Sequence, residues 1–550
     1  MSEDTSRSWP DYWNPDDEEF WEDTGKKIGW RNLLVSIPNL LCGFAVWLYW
    51  GMLAKFIQRV HFGNEELFNF TFMNDGQPYD GPGYRALMFT LPAVAGLAGA
   101  TMRIPHSFMI AICGGRNAKF MTTLLLLLPA VGSGIALQDP NVPFTTLIVL
   151  AALSGVGGGA FASSMSNISY FFPKKMQGLS LGLNAGIGNL GVSVMQFLLP
   201  WVITFGAFGA MGGEPQLIQE SGGSVSLWVQ NAGLAWVPIL GTCTVLAFLF
   251  MNNLPQQKCG PTPVAIGKYL WLTALGFLGA GTGITVLIMP WGGFPELLKI
   301  FVVLLVAVVI TMSSLRYLTP TETRENLKTQ FEIFDDKHTW IMTWLYTMTF
   351  GSFIGYANAF PKLIDDVFGV IRVDGTGVAL AEAIINPNAP EATKYIFIGA
   401  GVGALIRPVG GWLSDKLGGA RVTHWDTIIM IFSTIGAGWF VAQAAQSVTP
   451  EQYFMPFLLL FIVLFATTGI GNGSTFRMVP MIFSKAQAGP VLGFTSAIAA
   501  YGAFLIPKIF ATQIKAGTPE YALYAFALYY LSCLAVNWWF YARKGAEKPC

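Results

Sequence analysis

The sequence predicts an all-α protein that crosses a membrane many times. Three observations carry that prediction. The 550 residues are 53% hydrophobic and 12% charged, where a soluble domain carries about 25% charged residues. Mean hydropathy is +0.50. Apolar runs of about 20 residues, enough to span a bilayer as a helix, recur along the chain, as at 120–137, 236–251 with its flanks, and 454–470. The lipid bilayer is therefore the solvent for most of the chain. The net charge of +0 argues against a nucleic-acid partner.

Residues 1–31 are polar and acidic, with Asp16-Asp17-Glu18-Glu19, and end in Lys26, Lys27 and Arg31. A secretory signal has the reverse order, positive charge first and then an apolar stretch. The segment reads as a cytoplasmic tail, partly docked through Trp13, Phe20 and Trp21. Spans follow at roughly 33–57, 86–113, 119–137, 143–172, 179–208 and 234–253. Two more lie at roughly 267–289 and 297–316, then six at roughly 339–361, 395–413, 424–445, 454–483, 488–510 and 521–542. The total is about 14 helices.

Short loops rich in Lys and Arg mark the cytoplasmic side. One set holds Lys26, Lys27 and Arg31; Arg116 and Lys119; Lys174 and Lys175; Lys258 and Lys268; Arg324, Lys328 and Lys337; Lys416 and Arg421; Lys485; and Arg543, Lys544 and Lys548. The alternate loop 209–233 has no Lys or Arg. Both termini are expected in the cytoplasm.

The chain echoes itself. Gly114-Gly115-Arg116 follows the second span, and Gly418-Gly419-Ala420-Arg421 follows the tenth. Arg103 and Arg407 precede those turns at similar distances, each near a proline, Pro105 and Pro408. Two six-span halves in parallel repeat describe the major facilitator architecture, with its binding site at the midplane between the halves. The expected division is a tail at 1–31, a six-helix half at 32–255, a linker with two inserted helices at 256–337, a second half at 338–543 and a tail at 544–550. The inserted pair is hydrophobic and is expected to be peripheral.

The stretch from Gly155 to Pro200 is two glycine-dense segments joined by Pro173-Lys174-Lys175. Gly155, Gly158, Gly159 and Ser163 precede the turn; Gly182, Gly186 and Asn189 follow it. Small residues at helical spacing let helices approach closely in lipid. A second such stretch, GIGNGSTFRMVPMIF, contains Gly471 and Asn472. Gly158, Gly186 and Gly471 are therefore candidates for packing and gating.

Arg103 lies more than ten residues inside its span, and Arg407 lies in the matching helix of the second half. A charge that deep in a membrane is costly and suggests function. No Asp or Glu is expected deep in any span. Asp415 sits at a helix end and is assigned to a cytoplasmic gate. Two guanidiniums without carboxylates suit a small anion, because the planar fork donates two hydrogen bonds to adjacent oxygens. The cysteines at 42, 113, 243, 259, 533 and 550 are scattered. They suggest neither a metal site nor disulfides. No cofactor motif and no nucleophile–base pair is present, so an enzyme is not expected.

GVGGGAFASSMSNISYFFPKKMQGLSLGLNAGIGNLG and GIGNGSTFRMVPMIF, with NPDDEEFWEDTGKKIGWRNL and HTWIMTWLYTMTFGSFIGY, resemble the nitrate/nitrite porter family of the major facilitator superfamily. The resemblance implies that Arg103 and Arg407 clamp the substrate, that Tyr346 and Asn189 contact it, and that Phe161 and Phe350 bound its faces. Read without it, Tyr346, Phe161 and Phe350 are packing residues, and Asn189 makes an interhelical hydrogen bond. His106 stands where the family commonly has tyrosine. It is open to two readings, a neutral hydrogen-bonding side chain or a proton-coupling group. Arg477 can snorkel or guide anions. The resemblance implies nitrate and nitrite transport by alternating access in a bacterial inner membrane. Exchange is the leading mode, with proton-coupled nitrate symport as its rival. A membrane nitrate sensor is the alternative of another class.

Overall fold

The computed structural model describes residues 10–550 apart from 75, 80, 221, 222 and 258. Lys258, one of the orienting charges above, lies outside the described residues. Two compact units emerge. The first is Met1–Phe171, Val194–Pro290 and Phe301–Phe331; the second is Phe172–Ser193, Trp291–Ile300 and Glu332–Cys550. Among the described residues, 12 helices are long and apolar enough to cross a membrane. The expected spans at 86–113 and 339–361 are helical but stand outside those twelve. They carry Arg103 with His106, and Tyr346 with a run of threonines, so their polar residues dilute the apolar signal.

The first unit opens with α1 (Lys26–Gly63), α2 (Thr90–Cys113), α3 (Gly115–Leu125), α4 (Leu127–Ala136), α5 (Phe144–Leu153) and α6 (Gly155–Phe171). The tail docks as expected: Trp13 and Trp21 are buried, and Trp13 Nε1 donates to the Tyr170 carbonyl at 2.8 Å. Gly114, at φ +83°, stops α2 and starts α3 with no intervening loop. Only glycine takes that backbone conformation without strain. As a result Arg116 and Lys119, expected in a loop, lie in α3 and are buried. Arg116 donates to Thr262 Oγ1 at 2.9 Å and lies over the Phe248 ring.

Close helix approach accounts for the glycines of α6. A Cβ on Gly158 would lie 2.5 Å from Gly99 Cα of α2, and one on Gly155 would lie 2.7 Å from Ala98 Cβ. After α7 (Gln177–Val202) and a hairpin pairing Gln216–Glu220 with Gly223–Leu227 come α8 (Val237–Phe250), α9 (Thr262–Ile288) and α10 (Glu296–Tyr317). Of the inserted pair, α9 lies directly on α2. A Cβ on Gly276 would lie 2.7 Å from Met102 Sδ and 2.9 Å from Pro105 Cγ. Gly276 permits this approach, while Gly279 and Gly283 open the same helix to Ala307 and Thr311 of α10.

Residues 172–193, with most of α7, belong to the second unit. That unit continues with α11 (Lys337–Tyr346), a π-helical turn at Thr347–Gly351, α12 (Ser352–Phe368), α13 (Ile396–Leu405), α14 (Arg407–Leu417), α15 (Gly419–Ala445), α16 (Phe454–Ile482), α17 (Lys485–Ala500), α18 (Gly502–Lys515) and α19 (Glu520–Asn537). Gly418, at φ +91°, joins α14 to α15 as Gly114 joins α2 to α3, so the sequence echo is also a structural one. Phe360, Phe457, Phe461 and Phe465 build an aromatic core between α12 and α16. The expectation of no deep carboxylate is corrected here. Asp426 is 4% exposed. It had been placed near the start of a span at 424, but α15 begins at Gly419 and carries it inward.

Candidate functional site

In the first unit, Arg103 is fully buried in α2. Its Nε donates to the carbonyl of Gly158 at 2.8 Å. The carbonyl is reachable because α6 has no side chain at that position. The guanidinium carbon stands 4.7 Å from the Phe161 ring centroid, 5.2 Å from Trp47 and 5.8 Å from Phe44. Cations are attracted to such ring faces. One turn along α2, His106 Nδ1 lies 3.2 Å from Ser163 Oγ. Arg103, His106, Gly158 and Phe161 are thus one cluster.

In the second unit, Arg407 is the first residue of α14 and is 1% exposed. Pro408 behind it sits in the first turn of α14 and lacks the N–H that would continue the ladder from α13. Arg407 donates from Nη2 to Tyr346 Oη at 2.7 Å. Its guanidinium carbon stands 5.6 Å from the Phe350 ring and 5.8 Å from Phe476. Tyr346 stacks on both rings, at 5.5 Å and 4.2 Å between centroids. Asn472 lies one helical turn before Phe476 on α16, and its side-chain oxygen and nitrogen have no hydrogen-bond partner while it is 1% exposed.

Asn189 likewise has both polar atoms unsatisfied and is 1% exposed. It shares a helix face with Gly182, Gly186 and Ser193. That face packs on α13 and α14: a Cβ on Gly186 would lie 2.7 Å from the Ala404 carbonyl and 3.4 Å from Arg407 Cβ. Gly471 faces the π-helical turn, since its Cβ would meet Thr349 Cγ2 at 2.5 Å and Asp426 Oδ2 at 2.7 Å. Arg477, expected to guide anions, is ion-paired with Asp415. A Cβ on Gly178 would lie 2.6 Å from Asp415 Oδ1, so this pair sits against the start of α7.

Sequence reasoning missed Phe44, Trp47 and Phe476. Phe476 stands beside Arg477 in a quoted signature stretch, and its i, i+4 relation to Asn472 was the available signal. Phe44 and Trp47 lie in an aromatic-rich helix where nothing local separates them from packing residues. No metal-holding group of His, Cys, Asp or Glu occurs among the described residues.

No protein-family model matches the chain. The chain is 35% identical over 99% of its length to the probable nitrate/nitrite antiporter NarK2 of Thermus thermophilus, covering 98% of that protein. It is 32% identical over 97% of its length to the nitrate/nitrite transporter NarU of Escherichia coli K12, covering 96% of it. Among solved structures, the proton:xylose symporter XylE, of the major facilitator superfamily, matches with TM-score 0.56 at 13% identity, over 96% of this chain and 98% of that one. The organic anion transporter MFSD10 matches with TM-score 0.53 over 92% of this chain. The protein is an integral membrane protein with the major facilitator fold, and it belongs to the family of nitrate/nitrite transporters.

Proposed function

We propose that this protein carries nitrate and nitrite across a bacterial inner membrane by alternating access, with both termini cytoplasmic, and that it exchanges one anion for the other. One observation carries the reading: each unit holds an arginine at no more than 1% exposure against aromatic rings, Arg103 on Phe161 and Arg407 on Phe350. Nitrate is flat and singly charged. A guanidinium fork matches its oxygens, the Tyr346 hydroxyl adds a hydrogen bond, and the unsatisfied amide of Asn189 offers another. Phe161 and Phe350 present faces to a planar anion. The division into two six-helix halves with an inserted pair belongs to the same reading.

Exchange follows from charge. Occluding a buried guanidinium is costly, and a bound anion offsets that cost. The empty carrier is therefore slow to turn over, and each half-cycle takes an anion with it. Gly158, Gly186 and Gly471 supply the seams along which helices slide. The Asp415–Arg477 pair against α7 acts as a cytoplasmic latch. Proton-coupled symport is the second reading, and it is favoured by one observation, the buried Asp426 carboxylate, which joins His106 as a titratable group.

Proteoliposomes decide between them. Nitrate entry is followed into vesicles loaded with nitrite or left empty, with and without an imposed pH gradient. Exchange requires internal nitrite and ignores the gradient. Gradient-driven entry into empty vesicles overturns exchange.

A further inference from the structure

Lys119 is a buried lysine within the membrane-spanning stretch Gly115–Ala136. It is 3% exposed, and its Nζ has no hydrogen-bond partner. No acidic side chain among the described residues acts on it. On the neighbouring α2, His106 is fully buried, and its Nε2 is likewise without a partner. The charged groups acting on His106 are Lys119 and Arg103. Tyr269 of α9 ties the two positions together. Its ring stands edge-on to His106 at 5.9 Å, and its hydroxyl lies 2.9 Å from Thr122 Oγ1, one turn along α3 from Lys119. Thr122 already donates to the Ala118 carbonyl, so Tyr269 is the donor to Thr122 and serves as a wall.

Two buried polar groups without partners, Lys119 Nζ and His106 Nε2, therefore lie on the two helices that Tyr269 contacts. A buried ammonium with no carboxylate near it is costly. We propose that Lys119 and His106 form a second binding site for a small monovalent anion, nitrate or nitrite, in the first unit, one turn of α2 beyond the Arg103–Gly158 contact and walled by the inserted helix α9. The proposal rests on the reading above that these anions are the cargo. Lys119 supplies the charge and up to three hydrogen bonds. Ser163 Oγ lies 3.3 Å from the Ala160 carbonyl and 3.2 Å from His106 Nδ1; with its hydroxyl turned to Nδ1, His106 carries its proton on Nε2 and donates from there. The site lies toward the α2–α3 turn at Gly114, which the orientation above places on the cytoplasmic side, so it would hold an anion entering or leaving there. It also gives α9 a reason to be present.

The test counts nitrate bound to purified full-length protein by equilibrium dialysis in chloride-free buffer. Wild type is expected to bind two nitrates per chain, Lys119→Met one, and Arg407→Ala one. Lys119→Arg should restore the second. One nitrate in wild type, unchanged in Lys119→Met and lost in Arg407→Ala, overturns this site while leaving the transport reading intact. No nitrate bound in wild type overturns both. If Lys119→Met does not fold, His106→Gln is measured instead. Weakening of the second nitrate by about tenfold is expected, and unchanged binding overturns the proposal.

Discussion

Arg103 and Arg407 occupy corresponding places in the sequence echo, yet they are seated differently. Arg103 is held by a main-chain carbonyl, that of Gly158, and by three aromatic rings. Arg407 is held by a side chain, Tyr346, and by two rings that Tyr346 itself stacks upon. A main-chain acceptor cannot be deleted by substitution; it can only be displaced. A hydroxyl can be removed with one mutation. The first seat is therefore part of the helix packing, and the second is an adjustable contact beside a π-helical turn.

The largest effect tests what the seats share. Arg407→Lys, or Arg103→Lys, keeps the charge but loses the planar fork, and nitrate transport should fall by about 100-fold in proteoliposomes. Equal losses would show that both forks bind the anion. A small loss in one alone would break the equivalence.

The next prediction addresses the main-chain seat. Gly158→Ala forces a Cβ against Gly99 Cα, where 2.5 Å is available. It should destabilise the protein by about 2 kcal/mol, read as a lower melting temperature in detergent. Transport should fall with stability, because the same shift displaces the carbonyl that Arg103 needs.

Tyr346→Phe should separate the two seats most clearly. The ring stacks on Phe350 and Phe476 survive, but the buried Arg407 loses this acceptor, so melting should fall modestly. Loss of a hydrogen bond to a charged group is worth about 2 kcal/mol, and KM for nitrate should rise at least about tenfold. An unchanged KM would mean that the hydroxyl only tethers Arg407.

The smallest effects concern the rings. Phe161→Leu removes the nearest ring from Arg103 and should weaken nitrate binding by about 1 kcal/mol. Phe350→Leu should weaken it less, because Phe476 stands at nearly the same distance from Arg407. The reverse order would shift the anion's stacking face to the second unit.

Much of this was legible in the chain. Arg103 and Arg407 announce themselves because charge is rare in apolar runs, and the glycine stretches announce close helix contact. The resemblance placed Tyr346, Phe161, Phe350 and Asn189, which hydropathy alone treats as packing. What stayed hidden depends on where helices begin. Lys119 read as a loop charge because the turn at Gly114 is tighter than a loop. Asp426 lies close to the expected span start at 424, whereas α15 starts five residues earlier, at Gly419. The contact of α9 with α2 was hidden because a glycine stripe says that a helix packs closely, not which neighbour it meets.

The π-helical turn at Thr347–Gly351 has a further consequence, for length rather than chemistry. Such a turn is an α-helix carrying one surplus residue. Deleting one residue of the turn would let the backbone relax to ordinary α-winding with both flanks in register, because the bulge holds the surplus residue locally. A gap elsewhere in α11 or α12 has no bulge to absorb it, and would rotate one side by about 100° and take Tyr346 off Arg407. Relatives one residue shorter in this helix should therefore place their gap within Thr347–Gly351.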